Sequence, residues 1–236
     1  MRFRDKVVVL TGVGRQGQVG ETIGRAFGEE GARVVAVDRL EGEVEARAAE
    51  LRAAGFHARS FVCDLTDEPQ LRVLSSDVQT AYGGRVDALV NIAGGFAMSG
   101  PVAESDFAVW QHQFAINLTT AYLATRAFLP LLRAARGVIV YFGSAAALPG
   151  AKVGKMSAYA ASKAGVLTLM RAVAEEERGS GVRANALAPT AIRTAANLES
   201  MGTNVRYVER EQVASAVLWL CSEEASGVTG QVVQLG

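Results

Sequence analysis

The sequence predicts an α/β fold, a single doubly wound domain in which a seven-stranded parallel sheet is flanked by helices. Three observations point there. Seven short, Val-rich apolar runs recur at residues 6–11, 33–38, 57–63, 86–92, 137–142, 182–188 and 231–235. They are near-continuous rather than alternating, as expected of strands covered on both faces. Segments with helical spacing of apolar residues separate them, and no linker, repeat or low-complexity tract breaks the alternation.

The first strand, 6–11, leads into Gly12-Val13-Gly14-Arg15-Gln16-Gly17-Gln18-Val19-Gly20, and the residues from Glu21 to Phe27 read as a helix. Glycines permit positive φ and close backbone approach, and the free N–H groups of a helix start attract an anion such as a pyrophosphate. By itself a G-x-G-x-x-G match is weak and is as often an ordinary loop. The second strand adds to it. It ends in Asp38, 26 residues after Gly12, where an acid can bind adenosine ribose hydroxyls and would repel a 2′-phosphate. NAD is therefore expected over NADP, although Arg39 beside it partly offsets that charge.

Val44, Ala48 and Leu51 mark the next helix, 57–63 the third strand, and Leu71, Leu74 and Val78 the helix after it. The fourth strand, 86–92, precedes a helical stretch carrying Ile116, Ala124 and Phe128; the fifth is 137–142. A long helix over 156–178 contains Tyr159 and Lys163 on one face. Such a pair is common for packing alone. Here it has a use: an alcohol must lose a proton as a hydride leaves its carbon, and tyrosine with a pKa near ~10 is a poor base. Lowering that pKa by ~3 units takes ~4 kcal/mol, about what one unit charge supplies at ~4 Å with an effective dielectric of ~20. The sixth strand, 182–188, is followed by a predicted loop at 195–206, a helix with Val213, Ala216, Val217 and Leu220, and the last strand, 231–235.

Composition narrows the function classes. Lys plus Arg and Asp plus Glu number 24 each, with no basic stripe, so a nucleic-acid partner is not expected. No apolar run reaches the ~18 residues a bilayer crossing needs, and the first residues lack a signal-peptide core, which suggests a cytoplasmic protein with no membrane partner. Cys63 and Cys221 lie far apart, and His57 and His112 have no partner at ligand spacing, so neither a disulfide nor a metal site is expected.

Together the motifs resemble the short-chain dehydrogenase/reductase family over nearly the whole chain. Besides Tyr159 and Lys163 they comprise Thr11-Gly12, Cys63-Asp64-Leu65-Thr66-Asp67, Asn91-Ile92-Ala93-Gly94, Ile116-Asn117-Leu118, Phe142-Gly143-Ser144, Asn185-Ala186-Leu187-Ala188-Pro189 and Val228-Thr229-Gly230-Gln231. The resemblance implies a Rossmann-type oxidoreductase acting on a small alcohol or ketone. Its cofactor would meet Gly12, Gly17, Val19 and Gly20 at the phosphates and Asp38 at the ribose. Asp64 and Leu65 would hold the adenine, Asn91 would brace the central strands, and Ala93 and Gly94 would lie along the cofactor. Ser144 would bond the substrate oxygen, Tyr159 would be acid or base, and Lys163 would hold the nicotinamide ribose. Asn117 would position a water relaying the proton, and residues 189–194 would close over the nicotinamide through Ile192 and Thr194. A homotetramer or dimer is also implied.

Two departures stand out. The glycine turn is two residues longer than the family pattern, with eight positions from Gly12 to Gly20, so the loop must bulge. Ser144 lies fifteen residues before Tyr159, where the family has about thirteen, the place of Ala146. Either the loop at 148–155 is longer or the serine is lost; the longer loop is the preferred reading. Phe96, Met98, Leu148, Val153 and Met156 would line a substrate mouth or simply pack, and Lys152 and Lys155 would attract an anionic substrate or be solvated. An NADPH-dependent reductase and a non-catalytic dinucleotide-binding protein remain alternative readings.

Overall fold

The computed structural model describes residues 1–236 as one α/β unit. Its strands are β1 (Val7–Thr11), β2 (Arg33–Asp38), β3 (His57–Val62), β4 (Ala88–Asn91), β5 (Val138–Phe142), β6 (Arg183–Pro189) and β7 (Val232–Leu235). They form one wholly parallel sheet in the order β3-β2-β1-β4-β5-β6-β7. Every residue of β1, β4 and β5 is buried, which is why these runs carry no alternation.

The helices are α1 (Val19–Glu29), α2 (Glu41–Ala53), α3 (Glu68–Tyr82), α4 (Phe107–Phe114), α5 (Thr120–Ala135), α6 (Ser157–Glu176), α7 (Ala195–Met201) and α8 (Arg210–Cys221). Alternate residues of each strand face opposite layers. Val8, Leu10, Val34 and Val140 pack with Ile23 and Phe27 of α1, Val44 of α2 and Val217 of α8. Val9, Val35, Leu89 and Ile139 pack with Leu74 of α3, Phe128 of α5 and Met170 of α6. Local chemistry sets the helix ends: Asp67 accepts from Gln70 N at 3.1 Å to start α3, and Gly83 at φ 69° ends it.

The chain winds from β1 out to β3, then returns across β1 to start the other half at β4. The strand order therefore reverses between β1 and β4, and a crevice opens at their carboxyl ends. One expectation fails. Residues 195–206 are not a plain loop: 195–201 form α7, capped by the Thr194 hydroxyl, which accepts from Asn197 N at 3.2 Å. The helix buries none of its residues, so no apolar period announces it. No helix is long and apolar enough to cross a membrane.

Candidate active site

At the end of β1 the chain must turn against β4 with almost no clearance. A methyl group on Gly12, at φ +73°, would lie 2.7 Å from the Ala93 Cα. The Thr11 hydroxyl ties the two strands together, accepting from Ile92 N at 3.1 Å and Ala93 N at 3.2 Å. The two extra residues form a bulge, since Gly20 at the start of α1 still packs on Gly12 and Val13 while Gly17 O accepts from Ala195 N at 3.1 Å. Val19 and Gly20 are buried. Gly17 N donates to the Glu21 carboxylate at 2.5 Å.

Asp38 closes the other side of the turn. Its carboxylate accepts from Gly14 N at 2.9 Å and Leu40 N at 3.3 Å, and a methyl on Gly14 would meet it at 2.9 Å. Asp64 follows β3, where hydrogen bonds from Thr66 O–H and N–H, at 2.7 and 2.9 Å, hold its carboxyl below the usual range. Leu65 beside it is buried. Cys63 N donates to Asp38 O at 3.0 Å, so these residues share one rim.

Toward β5 the polar side chains converge on Gly94. A methyl there would lie 2.5 Å from Asn117 Oδ1 and 3.3 Å from Lys163 Nζ. Asn117 sits in a one-turn π-helix, Ala115–Thr119, between α4 and α5, and is buried. Its amide clasps Gly95, accepting from N at 3.1 Å and donating to O at 3.0 Å, with Gln113 and Ser162 each at 3.3 Å from Nδ2. Lys163 donates to Phe142 O at 2.8 Å, and burial pulls its amine down to about 8. That value leaves the amine mostly protonated at neutral pH. Burial pushes the Tyr159 hydroxyl up, and a hydrogen bond with Ser144 acts in the opposite direction. Ser144 therefore stands in the neighbourhood of the Tyr159 hydroxyl. Residues Ala145–Ala147 take up a short 3₁₀ turn in which Ala146 donates its N–H to Ser144 Oγ at 3.2 Å.

Asn91, at the floor, donates to Thr125 at 3.3 Å, and Thr125 is bonded to the Tyr141 hydroxyl at 2.8 Å. On the far side Ile192 O accepts from Asn197 Nδ2 at 2.8 Å, and Thr194 is buried as the α7 cap. The mouth is apolar. Phe96 stands edge-on to Tyr159 with ring centroids 5.0 Å apart, and Phe96, Met98 and Val153 are exposed. Lys155, at φ 63°, offers one carbonyl to Ser99 N at 2.8 Å, Gly100 N at 3.1 Å and Ser99 Oγ at 3.3 Å. Lys152 and Lys155 are exposed. No cluster of His, Cys, Asp and Glu suited to a metal is present.

Sequence reasoning missed Gln113, Ser162, Thr125 and Glu21 as parts of this site. Ser162 had a signal, since it precedes Lys163 and lies three residues after Tyr159 on the same helix. Chemically, the arrangement offers two neighbouring hydroxyls, and an ammonium and an amide that both approach Gly94.

The family model described as short chain dehydrogenase matches residues 6–204. The 2-(S)-hydroxypropyl-CoM dehydrogenase 3 of Xanthobacter autotrophicus is 33% identical over 97% of this chain and 94% of its own. The L-tagatose-forming galactitol 2-dehydrogenase of Cereibacter sphaeroides is 34% identical over 98% of this chain and 94% of its own. Among solved structures, gox2181 superposes with a TM-score of 0.92 at 31% identity, over 99% of this chain and 95% of that one.

Proposed function

The chain belongs to the short-chain dehydrogenase/reductase family, and on that premise we propose that it interconverts a secondary alcohol and its ketone with NAD(H) as cofactor. The observation that carries the reading is the convergence of Asn117 and Lys163 on Gly94, with Tyr159 and Ser144 neighbouring one another, where the sheet order reverses. Relatives named as dehydrogenases of alcohols support the same reaction class.

The residues fit a dinucleotide. Methyl groups at Gly12, Gly14 and Gly94 would strike Ala93, Asp38 and Asn117, so only glycine lets the chain pass this closely along the crevice. Gly12, Gly17, Val19 and Gly20 would face the phosphates, Asp38 the adenosine ribose, and Asp64 and Leu65 the adenine. Asn91, Ala93 and Gly94 would line the middle, Tyr159 and Lys163 the nicotinamide ribose, and Ile192 and Thr194 the nicotinamide. When bound, the nicotinamide supplies or accepts the hydride.

The protein's own groups handle orientation and the proton. Ser144 and Tyr159 hold the substrate oxygen between two hydroxyls. In oxidation Tyr159 takes the alcohol proton; in reduction it returns one. Burial makes tyrosinate costly and Ser144 works against that cost; a protonated Lys163 would add a favourable charge to it. Asn117, fixed on Gly95, stands next to Lys163 on the way out. Asp38, gripped by two backbone N–H groups and facing the ribose position, supports NAD over NADP. A cytoplasmic setting is supported by the free thiols Cys63 and Cys221. Homo-oligomer formation, as dimer or tetramer, is supported by the exposed Trp219 on α8 and the open edge of β7.

The test is NAD(H)-linked absorbance with a panel of secondary alcohols and ketones, alongside Tyr159→Phe. Turnover should fall by at least ~100-fold in the variant. Unchanged turnover would remove Tyr159 from the reaction, and tighter binding of NADPH than NADH would overturn the cofactor assignment.

A further inference from the structure

We propose that Glu21 is a carboxylate with two seats, one on the glycine turn and one on Arg47, and that the exchange between them sets cofactor affinity. The inference rests on the dinucleotide reading above. Glu21 is the third residue of α1, and its carboxylate takes the Gly17 N–H at 2.5 Å. There it occupies the helix start to which the bulged turn would bring a phosphate, so its charge competes with the ligand.

Across the cleft, Arg47 of α2 is only 7% exposed. Its Nη2 meets Glu50 at 2.5 Å, but Nε and Nη1 are buried with no partner. A buried guanidinium with two unpaired nitrogens is costly and calls for a state in which they are used. Glu21 and Arg47 line the same small cleft, together with Val13. Gly24 of α1 packs on Leu51 of α2, and one turn earlier on each helix stand Glu21 and Arg47. The other cation of the cleft, Arg25, is already paired with Glu29 at 3.0 Å. Arg210 lies 3.8 Å from Glu21 and steadies the first seat. Entry of a pyrophosphate displaces the Glu21 carboxylate by like-charge repulsion, and a side-chain rotation delivers it to the unpaired Nε–H of Arg47, where a charge-assisted hydrogen bond forms.

The experiment is a double-mutant cycle on NADH affinity, measured by fluorescence titration of the parent, Glu21→Gln, Arg47→Met and the pair. Arg47→Met should weaken NADH binding roughly tenfold, and Glu21→Gln should tighten it roughly threefold. In the double variant the Arg47 effect should vanish, so that it binds like Glu21→Gln. Methionine replaces a half-satisfied buried charge, so the free protein should melt no lower than the parent; Arg47→Gln serves as a second, polar variant with the same expected loss. Additive effects, or unchanged affinity in both Arg47 variants, would overturn the two-seat exchange while leaving the enzyme reading intact. A parent that binds neither NADH nor NADPH would overturn both.

Discussion

Replacing Lys163 by methionine should abolish turnover and at the same time stabilise the protein at neutral pH. The amine is buried, its hydrogen-bond partner is Phe142 O at 2.8 Å, and burial lowers it from 10.5 to about 8. At about 1.4 kcal/mol per unit, that fall corresponds to about 3 kcal/mol of destabilisation while the amine is charged. The sign follows from proton counting. Below pH 8 folded and unfolded chains both hold the proton and the penalty is complete. Between pH 8 and 10.5 the folded chain has lost it while the unfolded chain keeps it, so stability rises with pH until the penalty is gone. Methionine has no such pH dependence, but it leaves the Phe142 carbonyl without its donor, a loss of about 1–2 kcal/mol. The variant should therefore be more stable than the parent by about 1–2 kcal/mol at pH 7, and less stable by about the same amount near pH 10. Urea unfolding followed by fluorescence of Trp110 and Trp219 measures both. Other tyrosines and cysteines that titrate in this range contribute alike to the two proteins and cancel in the difference. A stability gap that stays constant across the window would refute the reasoning.

Ser144→Ala removes the hydrogen bond that lowers the Tyr159 pKa, so the tyrosine should titrate higher. The alkaline-going rise of kcat/KM for alcohol oxidation should move to higher pH, and the window for ketone reduction should extend upward; an unmoved profile would separate Ser144 from the proton transfer. Gly94→Ala puts a methyl 2.5 Å from Asn117 Oδ1, so both cofactor affinity and Tm should fall, as titration and a melting curve would show. An alanine variant that binds NADH like the parent would mean the groove is not used.

The sheet was legible because burial on both faces leaves an uninterrupted apolar record in 7–11, 33–38 and 138–142. Tyr159 and Lys163 were legible because one helix carries both at a fixed spacing. The cluster around Gly94 was not readable from the residues themselves, since Asn117 and Ser162 meet across 45 positions of chain and only tertiary packing brings them together. The resemblance supplied Asn117, but not the π-turn that aims it, which leaves no periodic trace. α7 was missed because it buries nothing, although Thr194 and Asn197 stand in cap spacing. The short 3₁₀ turn Ala145–Ala147 after Ser144 was not read either, since three residues leave no periodic trace. Arg47 sits in a helix dense with Glu and Arg, where a buried cation reads like a solvated one.

Ser99 and Gly100 both hang on one carbonyl, that of Lys155, whose backbone is held at φ 63°, and Ser99 Oγ also meets Ser157 Oγ at 3.3 Å, two residues before Tyr159. The two segments around the mouth are thus a single mechanical part with a common hinge pin. For protein engineers, the lip that carries Phe96 and Met98 has to be transplanted together with residues 148–157: a graft of either piece alone would arrive without its anchor and lose its grip on Tyr159.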